Sequence, residues 1–322
     1  MPDGAGPPVE IGIWSPEGDA KHLPLVVISH GTGGDFRSHQ DTAQALADAG
    51  FVVAAPTHPG DNWRDTSRTF AVWQRPRHLK MTIDHVLQRW GGRGRIDPGR
   101  IGAFGFSAGG FTVLVAAGGD PQLARIRGHC RANPRFFDCS IAPNAPIELL
   151  GPIEWVHDDR IRAVVVAAPA LGFTFGAEGL TRVTQPMQLW RAERDQVLPH
   201  PFYAEAVRTA LPRQPEYRVV PQAGHFDFLK PCSPGAAAAR PELCGSAPGF
   251  DRARFHHQMN EDIIRFFRRT LSAPGPRRRG LTGSTGSAAV SEGGSAFRTL
   301  VPSSSLRPLT GMAAVLARIA RL

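Results

Sequence analysis

Ile101-Gly102-Ala103-Phe104-Gly105-Phe106-Ser107-Ala108-Gly109-Gly110-Phe111-Thr112-Val113-Leu114 runs from an apolar strand pattern, through Gly-x-Ser-x-Gly, into an apolar helix pattern. A sharp strand-to-helix turn here forces Ser107 into a strained backbone conformation and crowds its neighbours. Small residues are therefore needed two positions before and after it. The same turn lifts the hydroxyl clear of the sheet and brings backbone N–H groups of the helix start beside it. The motif alone is weak, since a serine at this place also serves as a plain helix N-cap. Its surroundings carry the reading.

Working outward, short Val- and Ile-rich runs alternate with helical patterns as far as residue 271, the signature of a mainly parallel sheet covered by helices on both faces. Strands are predicted at 10–14, 25–29, 51–55, 101–106, 161–168, 187–190 and 216–220. Helices are predicted at 38–49, stopped by Gly50, at 79–90, ended by Gly91-Gly92, and at 251–271. The last places Phe255, Met259, Ile263, Phe266 and Phe267 on one side, as a closing helix packed on the sheet requires.

A serine hydroxyl is a poor nucleophile at neutral pH and needs a base, itself oriented by an acid. Asp195 follows the strand at 187–190, and His225 follows the strand at 216–220. Both lie in loops, later in the chain than Ser107, in the order acid then histidine. Glu193 is the alternative acid, but Asp195 sits in a turn ended by Pro199; Asp227 is too close behind His225 to orient it. An oxyanion needs two preorganised donors. The Ala108 amide, directly after the nucleophile, is one candidate. The other is the Thr32 amide in His30-Gly31-Thr32-Gly33-Gly34, where glycines let the backbone approach a substrate.

Together, Ser29-His30-Gly31-Thr32-Gly33-Gly34, Ala54-Ala55-Pro56-Thr57-His58-Pro59-Gly60-Asp61-Asn62, Gly105-Phe106-Ser107-Ala108-Gly109 and Ala223-Gly224-His225 resemble the predicted dienelactone hydrolases, relatives of platelet-activating-factor acetylhydrolase. The resemblance runs from about residue 9 to 271. It implies the α/β-hydrolase fold and hydrolysis of a small-molecule ester by a Ser, Asp, His triad through an acyl-enzyme, with Ser107, Asp195 and His225 in those roles and no cofactor. Dienelactone hydrolase proper has a cysteine where this chain has Ser107, so the implied substrate is an ester other than dienelactone. Family members also tend to carry more sequence before the first strand, often with an export signal, which implies a chain that begins late. A lipase or polyester hydrolase of the same fold is a competing reading. So is a non-catalytic hydrolase-like scaffold that binds through a basic tail.

Domain organisation follows composition. Residues 1–271 form the expected α/β-hydrolase domain. About 119–160 make an insertion after the nucleophile helix, read either as a lid or as a surface excursion. Residues 272–322 are rich in Gly, Ser, Pro and Arg, so a disordered tail is expected, with a short amphipathic stretch at 311–322. The formal charge of +9 sits mostly in that tail, where seven Arg face one Glu, so it does not point to a nucleic-acid partner. Apolar runs fall well short of the roughly 20 residues of a spanning helix. The first ten residues hold two acids, no Lys or Arg and no apolar h-region, unlike a secretory signal.

Four cysteines fall in local pairs, Cys130 with Cys139 and Cys232 with Cys244. Each pair flanks a loop-like stretch and suits a disulfide, which favours a periplasmic or secreted location; four free buried thiols in a cytoplasmic enzyme are the alternative. Oligomeric state is not encoded. Phe106, Phe173 and Phe226 are candidate substrate-pocket residues, with core packing the alternative for Phe173 and Phe175. His58-Pro59-Gly60-Asp61 reads as a turn after a strand rather than a metal site. Adjacent His256 and His257 point apart on the closing helix. No metal site is expected.

Overall fold

The structure is a computed structural model, and it describes residues 6–141 and 153–272. The expected tail and its amphipathic stretch lie outside the described residues, as does part of the expected lid, 142–152.

Seven strands form one sheet: β1 (Glu10–Trp14), β2 (Leu23–Ser29), β3 (Val52–Thr57), β4 (Ile96–Phe106), β5 (Ile161–Ala167), β6 (Met187–Ala192) and β7 (Glu216–Val220). Their order is β1-β3-β2-β4-β5-β6-β7. β1 pairs antiparallel with β3, and every other pairing is parallel. The nine helices of the described residues are α1 (Gln40–Asp48), α2 (Gln74–Gln88), α3 (Ala108–Ala116), α4 (Arg125–Ala132), α5 (Phe137–Ile141), α6 (Ala204–Ala210), α7 (Pro234–Ala239), α8 (Pro241–Cys244) and α9 (Arg252–Thr270). None of the helices described is long and apolar enough to cross a membrane.

The central strands are apolar on both faces because helices cover both. Leu25 and Val27 of β2 point to one core, with Leu79 and Ile83 of α2, Phe111 and Leu114 of α3 and Val207 of α6. Val26 and Ile28 point to the other, with Leu46 of α1 and Phe255, Met259, Ile263, Phe266 and Phe267 of α9. This period-2 division is why the strands read as continuous apolar runs rather than as alternating ones. The stripe predicted on the closing helix is the one buried, and Asp251 caps that helix by accepting the Arg254 amide at 3.0 Å.

The two largest shifts in element boundaries have identifiable reasons. β4 begins five residues early, at Ile96, because Ile96 pairs with Leu23 before the register shifts at Leu25. α2 begins at Gln74 rather than Leu79. Pro76 falls in its first turn, where an absent N–H costs no intrahelical bond, so the proline does not mark a stop.

Candidate functional site

Three strand ends converge on the carboxyl edge of the sheet. β4 delivers Ser107 into a backbone at φ 55°, ψ −118°, immediately before α3. The glycines around it are sterically required. A Cβ on Gly105 would stand 2.1 Å from the Gly109 carbonyl oxygen, and one on Gly109 would stand 1.9 Å from the Ser29 carbonyl oxygen. Backbone bonds fix the elbow further: the Ser107 amide donates to Ala167 O at 3.0 Å, and Ser107 O accepts from Ala170 N at 2.9 Å.

After β6 the chain turns through Asp195, whose Oδ1 accepts the amides of Val197 at 3.0 Å and Leu198 at 2.7 Å. Its other oxygen, Oδ2, lies 2.8 Å from His225 Nδ1. His225 Nε2 in turn lies 3.1 Å from Ser107 Oγ. The Asp195 and His225 side chains are 3% and 2% exposed, so their contact is shielded from water. With Asp195 as acceptor, the imidazole carries its proton on Nδ1 and offers a lone pair at Nε2 to the serine hydroxyl. The other acids nearby are engaged elsewhere. Glu193 accepts the Gln222 amide at the surface, while Asp227 binds Gly224 N and Arg252, tying the histidine loop to α9.

The loop after β2 faces Ser107 from the opposite side. Within it Gly34 N donates to Gly31 O and Gly33 N donates to Asp61, each at 3.1 Å. Among the described residues no acceptor meets the Thr32 amide. Ala108 begins α3, and first-turn amides have no intrahelical partner.

A cavity of about 620 Å³ opens over this group, with a mostly apolar lining. Phe106 and Phe226 line it as expected, and their rings also pack on His225 at centroid distances of 4.8 and 5.4 Å. Phe173 does not line it. It stacks on His129 instead, 3.7 Å between centroids, within an aromatic cluster behind the cavity wall, and Phe175 is fully buried core. Trp63, Phe137, Leu229 and Leu243 line the cavity unforeseen, because they come from separate segments, two of them in α5 and α8, with no shared spacing.

Both cysteine pairs are disulfide-bonded, and each holds a wall of the cavity. Cys130–Cys139 links α4 to α5 and so carries Phe137, within the described part of the insertion. Cys232–Cys244 encloses α7 and α8 and carries Leu243. His129, Asp138 and Cys139 come within 4.8 Å of one another, but the Cys139 sulfur is consumed by its disulfide and cannot act as a thiolate ligand. His58 packs beside His30 and His78, its Nε2 meeting Ser29 Oγ at 2.9 Å, and among the described residues no carboxylate completes a ligand set with them.

Three histidines outside the Ser107 group are kept neutral. Burial, followed by the Arg75 charge, holds His30 and His58 well below the usual histidine range. Burial brings His39 to about 4, opposed by Asp41 and assisted by His256 and Lys230. An imidazole neutral when folded and protonated when unfolded destabilises the fold as pH falls below about 6.5, by up to ~1.4 kcal/mol per pH unit for each group. Unfolding free energy, measured in urea at pH 7.5 and 5.5, should therefore drop toward acid. His39 packs edge-on to Phe104 and Phe106, and its ring nitrogens meet no hydrogen-bond partner among the described residues. His39→Phe should flatten the pH slope by about one such increment, and an unchanged slope would refute this assignment.

A mainly parallel sheet, a serine elbow at its centre and a histidine after its last strand define an α/β-hydrolase. The dienelactone hydrolase family model matches residues 12–129, which include the 31–34 loop and the elbow and end before Asp195 and His225. The fold is similar to that of a ferulic acid esterase from Streptomyces cinnamoneus, with a TM-score of 0.51 and 22% identity over 80% of this chain and 71% of that chain. No curated protein matches the sequence significantly. Residues 12–129 are thus similar to the dienelactone hydrolase family, and the described residues have the α/β-hydrolase fold.

Proposed function

We propose that the protein is a serine esterase that cleaves carboxylic esters of small molecules through an acyl-enzyme. The observation that carries this reading is His225, which meets Ser107 Oγ with one ring nitrogen and Asp195 with the other. Ser107 Oγ attacks the ester carbonyl while His225 Nε2 takes its proton. Asp195 holds the ring and balances the imidazolium. The amides of Thr32 and Ala108 donate to the oxyanion, a contribution typically worth ~3 to 4 kcal/mol per donor. His225 then protonates the departing alkoxide, and water, activated by the same nitrogen, releases the acid.

A fluorophosphonate probe labels only an activated serine, so one equivalent should attach at Ser107 and abolish turnover of p-nitrophenyl acetate and butyrate. Failure to label together with failure to turn over would sink the proposal. A second reading, a lipase or polyester hydrolase, is favoured by Trp63, which stands 58% exposed while lining the cavity. Rates on palmitate esters and polyester film relative to butyrate separate the two.

A further inference from the structure

A buried ion pair lies beneath the two backbone segments that flank Ser107. Arg75 of α2 and Asp61 of the loop after β3 meet at 2.5 Å, with side chains 2% and 3% exposed. Burying two charges costs several kcal/mol per ion, and a hydrophobic pair of similar volume often stabilises a fold as well or better. Stability alone therefore does not account for the pair. Its bonds to His30, Gly33 and Thr112 point to another role, because these residues lie on the two segments bearing the oxyanion donors.

Arg75 uses every edge of its guanidinium. Besides Asp61, one terminal nitrogen donates to the His30 carbonyl, two residues before Thr32. Its Nε donates to Thr112 Oγ1 at 3.0 Å, and that hydroxyl donates to the Ala108 carbonyl at 2.7 Å. Asp61 completes the brace on the loop side by accepting the Gly33 amide at 3.1 Å. His30 adds to it. Its Nε2 accepts the His58 amide at 3.0 Å, which leaves Nδ1 protonated and donating to Gly31 O at 2.6 Å. The 31–34 turn is thus gripped at His30, Gly31 and Gly33, and α3 is gripped at Ala108 through Thr112.

We propose that Arg75, with Asp61 and Thr112, is a positioning residue that sets the separation of the Thr32 and Ala108 amides and so tunes the oxyanion hole for the transition state. This rests on the serine esterase reading. Arginine is required because its rigid fork reaches three acceptors in fixed directions, whereas a lysine ammonium keeps the charge opposite Asp61 but cannot span His30 and Thr112 at once.

The test compares wild type, Arg75→Lys and Thr112→Val on p-nitrophenyl butyrate, with a short alkyl trifluoromethyl ketone as the tetrahedral oxyanion mimic. Misplacing a donor without deleting it should cost roughly 10- to 100-fold in kcat for Arg75→Lys, and roughly tenfold for Thr112→Val. KM should stay within about threefold, because the amides act on the oxyanion rather than on the bound ester. Ketone affinity should fall in parallel with kcat. Wild-type kcat and ketone affinity in Arg75→Lys would overturn the inference, as the charge alone would then suffice. If Arg75→Lys does not fold, Thr112→Val decides: unchanged ketone affinity there overturns it. Fluorophosphonate titration of the wild type keeps the two levels apart. No labelling together with no turnover would sink the esterase reading and this inference with it, whereas full labelling with unchanged ketone affinity would sink only the inference.

Discussion

Ser107→Ala should yield a folded protein whose kcat/KM for p-nitrophenyl butyrate is lower by about 10⁴- to 10⁶-fold, the range seen when a triad nucleophile is removed. The expected loss is large because His225 and Asp195 have no other hydroxyl to activate at this position. The expected retention of fold comes from the bonds Ser107 makes. Its side chain meets His225, but its backbone amide and carbonyl carry the ties to Ala167, Ala170 and Phe111, and alanine keeps all three. The same backbone makes a second variant informative. At φ 55° every residue with a Cβ is strained, by about 1 to 3 kcal/mol, and glycine is not. Ser107→Gly should be as inactive as Ser107→Ala yet unfold at a higher temperature. Residual esterase activity above about 1% in either variant would move the nucleophile elsewhere, and a lower melting temperature for the glycine variant would refute the strain.

What could be read in the sequence was what has a local period or a local steric rule. The elbow was legible because Gly105 and Gly109 have no room for a Cβ, and the closing helix because its apolar stripe, from Phe255 to Phe267, repeats over about three turns. The placement of Asp195 and His225 was legible by order, each lying in a loop after a strand and later in the chain than Ser107. The antiparallel direction of β1 was not, since residues 10–14 fit either orientation and only pairing with β3 decides. The cavity wall was not, since Trp63, Phe137, Leu229 and Leu243 are brought together by tertiary packing and two disulfides. Of the two readings of Phe173, pocket or packing, the sequence could not choose for the same reason: its partner, His129, lies on α4. Arg75 was missed because it falls four residues before the predicted helix start at 79 and its partners lie on other segments. Asp61 was read as a turn residue, which it is, but its partner on α2 has no sequence signal.

Asp195→Asn should lower kcat by about 10⁴-fold while leaving the fold in place. The argument depends on which amide atom ends up where. Asp195 Oδ1 accepts two backbone N–H groups, from Val197 and Leu198, and only an oxygen can do so. The asparagine carbonyl must therefore occupy that position, leaving its NH₂ toward His225 Nδ1. A donor there forces Nδ1 to accept, so the imidazole proton moves to Nε2, the atom facing Ser107. The ring remains in place and loses its ability to take the serine proton. Fluorophosphonate labelling should slow in proportion to kcat, and the urea midpoint should move little, because both loop hydrogen bonds survive. Glu193→Gln is the internal control. That carboxylate lies on the same loop and accepts the Gln222 amide at 2.8 Å at the surface, a bond an amide oxygen also accepts. Its kcat should stay within about twofold of wild type, since exposed surface substitutions usually shift energies by no more than ~0.5 kcal/mol. More than a tenth of wild-type kcat in Asp195→Asn, or a large loss in Glu193→Gln, would transfer the orienting role to the other acid.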